Sequence, residues 1–95
     1  MRVWIKQGVM GTLTPIARKG LGRVARFYFE HGEELYITSI MEGTHSAGSL
    51  HYAGMAFDFR KGNCFALQAI RLVLGSDWDV VDEGNHCHAE YDPKR

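Results

Sequence analysis

At 95 residues, 45% of them apolar, with two prolines and no low-complexity run, the sequence predicts a single compact domain spanning 1–95. Eleven basic residues balance eleven acidic ones and neither sign runs longer than two, which speaks against nucleic acid or an anionic membrane as a partner. No apolar stretch approaches the roughly 20 residues needed to cross a bilayer, and the Met1 to Met10 segment lacks the long apolar core of a secretory signal, so a soluble monomer without an export address is expected.

In chain order, Val3-Trp4-Ile5 reads as a short strand, after which Gly8 and Gly11 break the pattern. Thr14-Pro15 is a helix start, with Thr as N-cap and Pro at the first helical position, and a helix is expected from Pro15 to about Glu30. Ile16, Val24, Phe27, Tyr28 and His31 are expected near one face of it, Arg18, Lys19, Arg23 and Arg26 on the polar one, and Gly32 just past its end. Gly20 and Gly22 either weaken this helix or let something pack closely against it.

Leu35 to Ile40 is rich in β-branched and aromatic residues and reads as a central strand. Met41 to Leu50 has the Gly, Ser and Thr content of a surface connection, of the kind that carries functional groups on a rigid scaffold. Met55 to Arg60 reads as a second strand, Lys61-Gly62-Asn63 as a turn that caps a helix from Cys64 to about Leu74, and Gly75-Ser76 as its end. Trp78 to Val81 and His86 to Tyr91 are strand-like runs joined by the turn residues Asp82 to Asn85, a hairpin signal. The order β, α, β, β, α, β, β predicts an α+β fold, a small mostly antiparallel sheet with two helices packed against it.

Four of the five histidines, His45, His51, His86 and His88, fall from near the middle of the chain onward, close to acidic residues. His51 stands at a loop end and Asp58 inside a strand, and the small Gly54 and Ala56 between them allow close backbone approach. On a strand, His86 and His88 point to the same side and Cys87 to the other. Two histidines and a carboxylate suffice for a catalytic zinc with its fourth position open, so His51, Asp58 and one histidine of the His86/His88 pair form the expected metal set. Glu83, in the turn before the pair, suits the general base, and the remaining histidine the oxyanion.

Bland alternatives exist for most of these residues. A lone His-x-His is more often a hydrogen-bonded surface pair than a metal site. His31 reads as a partner of the helix C-terminal dipole, His45 as a loop residue or a support for a ligand, and Cys64 as a small core residue. Neither cysteine belongs to a Cys-x-x-Cys pair.

The run Ser49-Leu50-His51-Tyr52-Ala53-Gly54-Met55-Ala56-Phe57-Asp58 resembles the Ser-x-His-x-x-Gly-x-Ala-x-Asp signature of the D-Ala-D-Ala carboxypeptidase-like zinc peptidases (peptidase family M15), and Glu83-Gly84-Asn85-His86-Cys87-His88 resembles the second half of that family's site. The stretch from Asp77 through Lys94 is similar to the closing hairpin of the short phage and bacterial members. The resemblance implies a fold shared with lysostaphin-type enzymes and hedgehog domains, and one zinc per chain held by His51, Asp58 and His88. It also implies Glu83 as base, His86 as transition-state partner, and bacterial cell-wall peptidoglycan peptides as substrate, met at the cell wall. Some relatives place the acid three residues before the zinc histidine, a spacing that Glu83 and His86 also satisfy, and Asp82 is a second choice for the acid. Arg60, two residues past Asp58 on the same strand face, is the candidate for a substrate carboxylate, while Ser49 is expected to shape its loop by a side-chain hydrogen bond.

Two other readings stand beside hydrolysis. One is a binding module that keeps the zinc fold without catalysis. The other is a structural zinc closed by four protein ligands, for example His51, Asp58, His86 and His88.

Overall fold

A computed structural model of the chain describes residues 3–9, 13–40, 54–63 and 66–93. The expectations for Ser49, His51, His45 and Cys64 fall outside them. The described chain is α+β, with strands β1 (Val3–Ile5), β2 (Leu35–Ser39), β3 (Ala56–Phe59), β4 (Trp78–Asp82) and β5 (Cys87–Tyr91), and helices α1 (Pro15–Glu30) and α2 (Leu67–Leu74).

The strands form one sheet in the order β1-β2-β3-β5-β4. It is mixed. β2-β3, β3-β5 and β5-β4 pair antiparallel, while β1 lies parallel to β2 at the edge. A parallel neighbour requires a crossover, and α1, lying between β1 and β2 in the chain, supplies it.

α1 has the bounds that its sequence signals give. Thr14 is extended and its Oγ1 accepts the Ala17 N–H at 3.3 Å, Pro15 opens the first turn, and Gly32 beyond the end has φ +75°, which suits glycine. The buried face keeps the expected Val24 and Tyr28, with Phe27 packed against the core, and adds Ala17, Gly20 and Ala25, while Ile16 and His31 are exposed. The reason is Gly20. A Cβ there would lie 2.3 Å from Cζ2 of Trp78, so only glycine lets the helix settle on that indole, and this contact sets the helix rotation.

α2 begins at Leu67, later than its composition suggests, with Ala66 as an N-cap that makes no side-chain cap bond. Asn63 does not cap it, since it stands three residues before the N-cap position, and its backbone N–H donates to the Glu33 carboxylate at 2.9 Å. β5 likewise starts at Cys87, and His86 belongs to the bend before it.

Both helices cover one face of the sheet. Val24, Tyr28, Ile70 and Leu74 form one core with Leu35, Ile37, Phe57, Phe59, Trp78, Val80, Cys87 and Ala89. Phe57 is tied to Phe59 and Trp78 by ring contacts at 5.6 and 5.8 Å. Strand alternation sends Ala56, Asp58, His88 and Glu90 to the other face, away from that core.

Candidate metal-binding site

The site is built on the register of β3 and β5. Asp58 and His88 are cross-strand partners, so their side chains leave the sheet side by side. On the far side of β3, Ile37 pairs with Phe59 but Ser39 pairs with Asp58, a bulge that gives β2 one residue more than β3 over this step. It brings Ser39 opposite Asp58 and returns Ile40 to the core.

Asp58 is the one charged or polar residue among the described residues that is buried to this degree, with 8% exposure. A buried carboxylate needs partners. His88 Nδ1 lies 2.8 Å from Asp58 Oδ1, and His88 Nε2 lies 2.7 Å from Glu90 Oε1. The hydrogen bond to Asp58 raises the His88 pKa to about 9, with Glu90 adding to the rise and burial opposing it. Without a metal the ring is therefore an imidazolium that donates to a carboxylate from each nitrogen.

The hairpin turn brings the rest. Gly84, at φ +95°, and the Asp82 Oδ1 that accepts the Gly84 N–H at 2.9 Å shape the turn so that Glu83 and His86 come back over Asp58. His86 Nε2 is 3.6 Å from Asp58 Oδ2 and 3.7 Å from Glu83 Oε1, and Glu83 Oε1 is 3.8 Å from His88 Nδ1. His86 Nδ1 is 2.6 Å from Asn85 Oδ1, which turns Nε2 toward the site.

These atoms suit a metal ion. Ligand atoms of a tetrahedral zinc, at bond lengths near 2.1 Å, stand about 3.3 Å apart. The Asp58, His86, His88 and Glu83 separations of 2.8 to 3.8 Å bracket that value. Asp58, Glu83 and His86 can each offer one ligand atom within 4.8 Å of the others. Nitrogen and carboxylate donors of this kind bind divalent transition metals.

The other expected site residues divide. Arg60 lies just past β3, exposed, with its guanidinium 4.0 Å over the Tyr36 ring and, among the described residues, in no ion pair with an acid. Asp82 is committed to the turn: both carboxylate oxygens contact Lys61 Nζ, at 3.1 and 3.0 Å. Its pKa is lowered, first by the Gly84 N–H and then by Lys61. Its cross-strand partner is Cys87, on the helix side rather than the side of Asp58 and His88. Cys87 is buried in the core, where loss of solvation pushes its thiol up to about 11, so it stays a thiol and faces away from the site.

Glu90 is the residue that sequence reasoning missed. The signal was present in the same period-2 logic that paired the histidines, since Glu90 is two residues past His88 on β5.

No protein-family model, curated protein or solved structure matches this chain. No helix among the described residues is long and apolar enough to cross a membrane.

Proposed function

We propose that the protein is a zinc-dependent peptidase that cleaves peptide bonds in bacterial peptidoglycan. The observation that carries this reading is the gathering of Asp58, Glu83 and His86 within 4.8 Å of one another, with His88 Nδ1 2.8 Å from Asp58 and 3.8 Å from Glu83, on the face that the helices leave uncovered. The likeness of Ser49 to Asp58 and of Glu83 to His88 to the two halves of the D-Ala-D-Ala carboxypeptidase-like site supports it and supplies the substrate class.

In this reading Asp58 and His88 hold the ion, His88 through Nδ1, with His51 as the third protein ligand. His51 is three residues before Gly54, a reach of roughly 10 Å of extended chain. A zinc held there would supply a Lewis acid, lowering the pKa of a water toward about 7 and polarising a carbonyl. Glu83, at the edge of the site, accepts the proton of the attacking water and hands it to the leaving nitrogen. His86 faces the developing oxyanion with Nε2. Arg60, beyond Asp58 on the same side of β3, pairs with a substrate carboxylate.

A second assignment of the third ligand is favoured by one observation. The Asn85 contact leaves His86 Nε2 facing Asp58 and Glu83, and those three converge as they stand. In that assignment His86 binds the ion and His88 supports Asp58. His86→Ala and His88→Ala separate the two, because only loss of the ligand removes stoichiometric zinc.

The test of the function is digestion of purified peptidoglycan with mass spectrometry of the fragments. Cleavage that a chelator abolishes, zinc restores and Glu83→Gln removes is the expected result. Cleavage that is indifferent to Glu83→Gln overturns the mechanism. Tight zinc binding with no bond cut instead supports a binding module of the same fold.

A further inference from the structure

His88 has two ring nitrogens and a carboxylate at each, which raises the question of what decides the one that meets the ion. Three observations answer it. Asp58, at Nδ1, shares its surroundings with Glu83 and His86, the other groups of the site. Glu90, at Nε2, stands on the opposite side of the ring, two residues along β5 and therefore on the same face of the sheet as His88. Beside Glu90 stand two further acids, Asp79, its cross-strand partner on β4, and Asp92, close enough that the three can offer one oxygen each within 4.8 Å.

We propose that Glu90 is a positioning residue that holds His88 with Nε2–H outward and so presents Nδ1 as the metal ligand. This rests on the reading of Asp58 and His88 as ligands.

The physical argument is one of choice between ring orientations. An imidazole on a strand can turn over about its Cβ–Cγ bond, which puts Cδ2 where Nδ1 stood and Cε1 where Nε2 stood. A neutral ring has one N–H and one lone pair, and only the lone pair binds a metal. With Asp58 alone as a neighbour, the proton could sit at Nδ1 and block the ligand position. Glu90, an acceptor 2.7 Å from Nε2, gives the proton a hydrogen bond on the far side and leaves Nδ1 bare. It also hinders rotation, because the turned-over ring loses this bond. Glu90 and His88 are both half-buried, so the bond is partly shielded from competing water.

The test uses the full chain with Glu90→Ala, Glu90→Gln and, as a control for charge alone, Asp79→Asn. Zinc affinity is measured by competition with a chromophoric chelator, and the ring nitrogens of zinc-loaded, 15N-histidine-labelled protein are assigned by long-range 1H–15N correlation. The wild type is expected to show His88 ligated at Nδ1 and protonated at Nε2. Glu90→Ala is expected to lose about 10- to 100-fold in zinc affinity, with the His88 signature lost or divided between the two nitrogens. Glu90→Gln, whose amide oxygen can still accept the Nε2 proton, keeps the signature and most of the affinity, and Asp79→Asn keeps both.

Wild-type affinity and intact Nδ1 ligation in Glu90→Ala overturn the proposal while leaving the zinc site standing. Equal losses in Glu90→Ala, Glu90→Gln and Asp79→Asn also overturn it, in favour of a simple effect of charge. A wild-type chain that takes up no zinc overturns the site itself. Should Glu90→Ala fail to fold, the Glu90→Gln spectrum decides alone: loss of Nδ1 ligation there contradicts the proposal.

Discussion

On the helix side of β3 and β5, Phe57, Phe59, Cys87 and Ala89 are packed to 3% exposure or less, whereas one residue along the same strands, on the other side, Asp58, His88 and Glu90 form a chain of carboxylate, imidazole and carboxylate. The two faces share every backbone hydrogen bond of the β3-β5 pair and differ only in the side chains that alternation sends each way. Stability resides mainly in the first face, where apolar area leaves water, and the proposed chemistry in the second, where a buried carboxylate is balanced by a ring held between two acids. A substitution on either side is therefore expected to disturb one property and largely spare the other.

The largest separation should come from Glu83→Gln. It is expected to lower kcat by about 100- to 10,000-fold through loss of the general base, with the unfolding midpoint and zinc stoichiometry unchanged, as read by fragment analysis and chelator competition. Phe57→Ala works from the other face: a fully buried ring is lost, and denaturant unfolding should show about 3 to 5 kcal/mol of destabilisation while the folded fraction still binds zinc. Gly20→Ala presses a methyl into Trp78 and should cost about 1 to 3 kcal/mol, with near-UV circular dichroism reporting the displaced indole.

Acidity distinguishes the faces in a further way. His88 has a folded pKa of about 9 against an ordinary 6.5, so its contribution to the stability of the metal-free protein is fully present below about pH 6.5 and is lost as pH rises through 9. Zinc binding runs oppositely, because the ion must displace a proton from that ring. Affinity should rise by about tenfold per unit between pH 7 and 9, measurable by competition titration at fixed ionic strength. The smallest effect is expected far from both faces. Glu30→Ala removes an exposed i,i+4 contact of 3.8 Å with Arg26 and should shift stability by less than about 0.5 kcal/mol.

What could be read from the sequence follows the range of the interactions responsible. α1 was legible end to end because Thr14, Pro15 and Gly32 act within a turn of it. β3 and the hairpin strands were legible from alternation and turn residues. The late start of α2 was not, since Asn63 has the character of a cap but the helix begins only at Leu67, behind an Ala66 that has no capping group to announce it. The parallel seat of β1 was not either, because nothing within Val3–Ile5 states its partner. At the site, the period-2 rule gave the convergence of the histidines on Asp58, although His86 belongs to the turn rather than the strand. The same rule, followed two residues further, reaches the Glu90 that the sequence reading missed, whose bond to His88 becomes evident only in three dimensions. His51 and Ser49, which carry the first half of the family likeness, lie outside the described residues.

The measurement that bears most directly on the central claim is anomalous diffraction at the zinc edge from crystals grown with the metal. The account predicts one ion between the Asp58 carboxylate and His88 Nδ1, three protein ligands at about 2.0 to 2.2 Å, and a fourth position open to water. No peak between Asp58 and the His86/His88 pair, or an ion closed by four protein ligands, would contradict it.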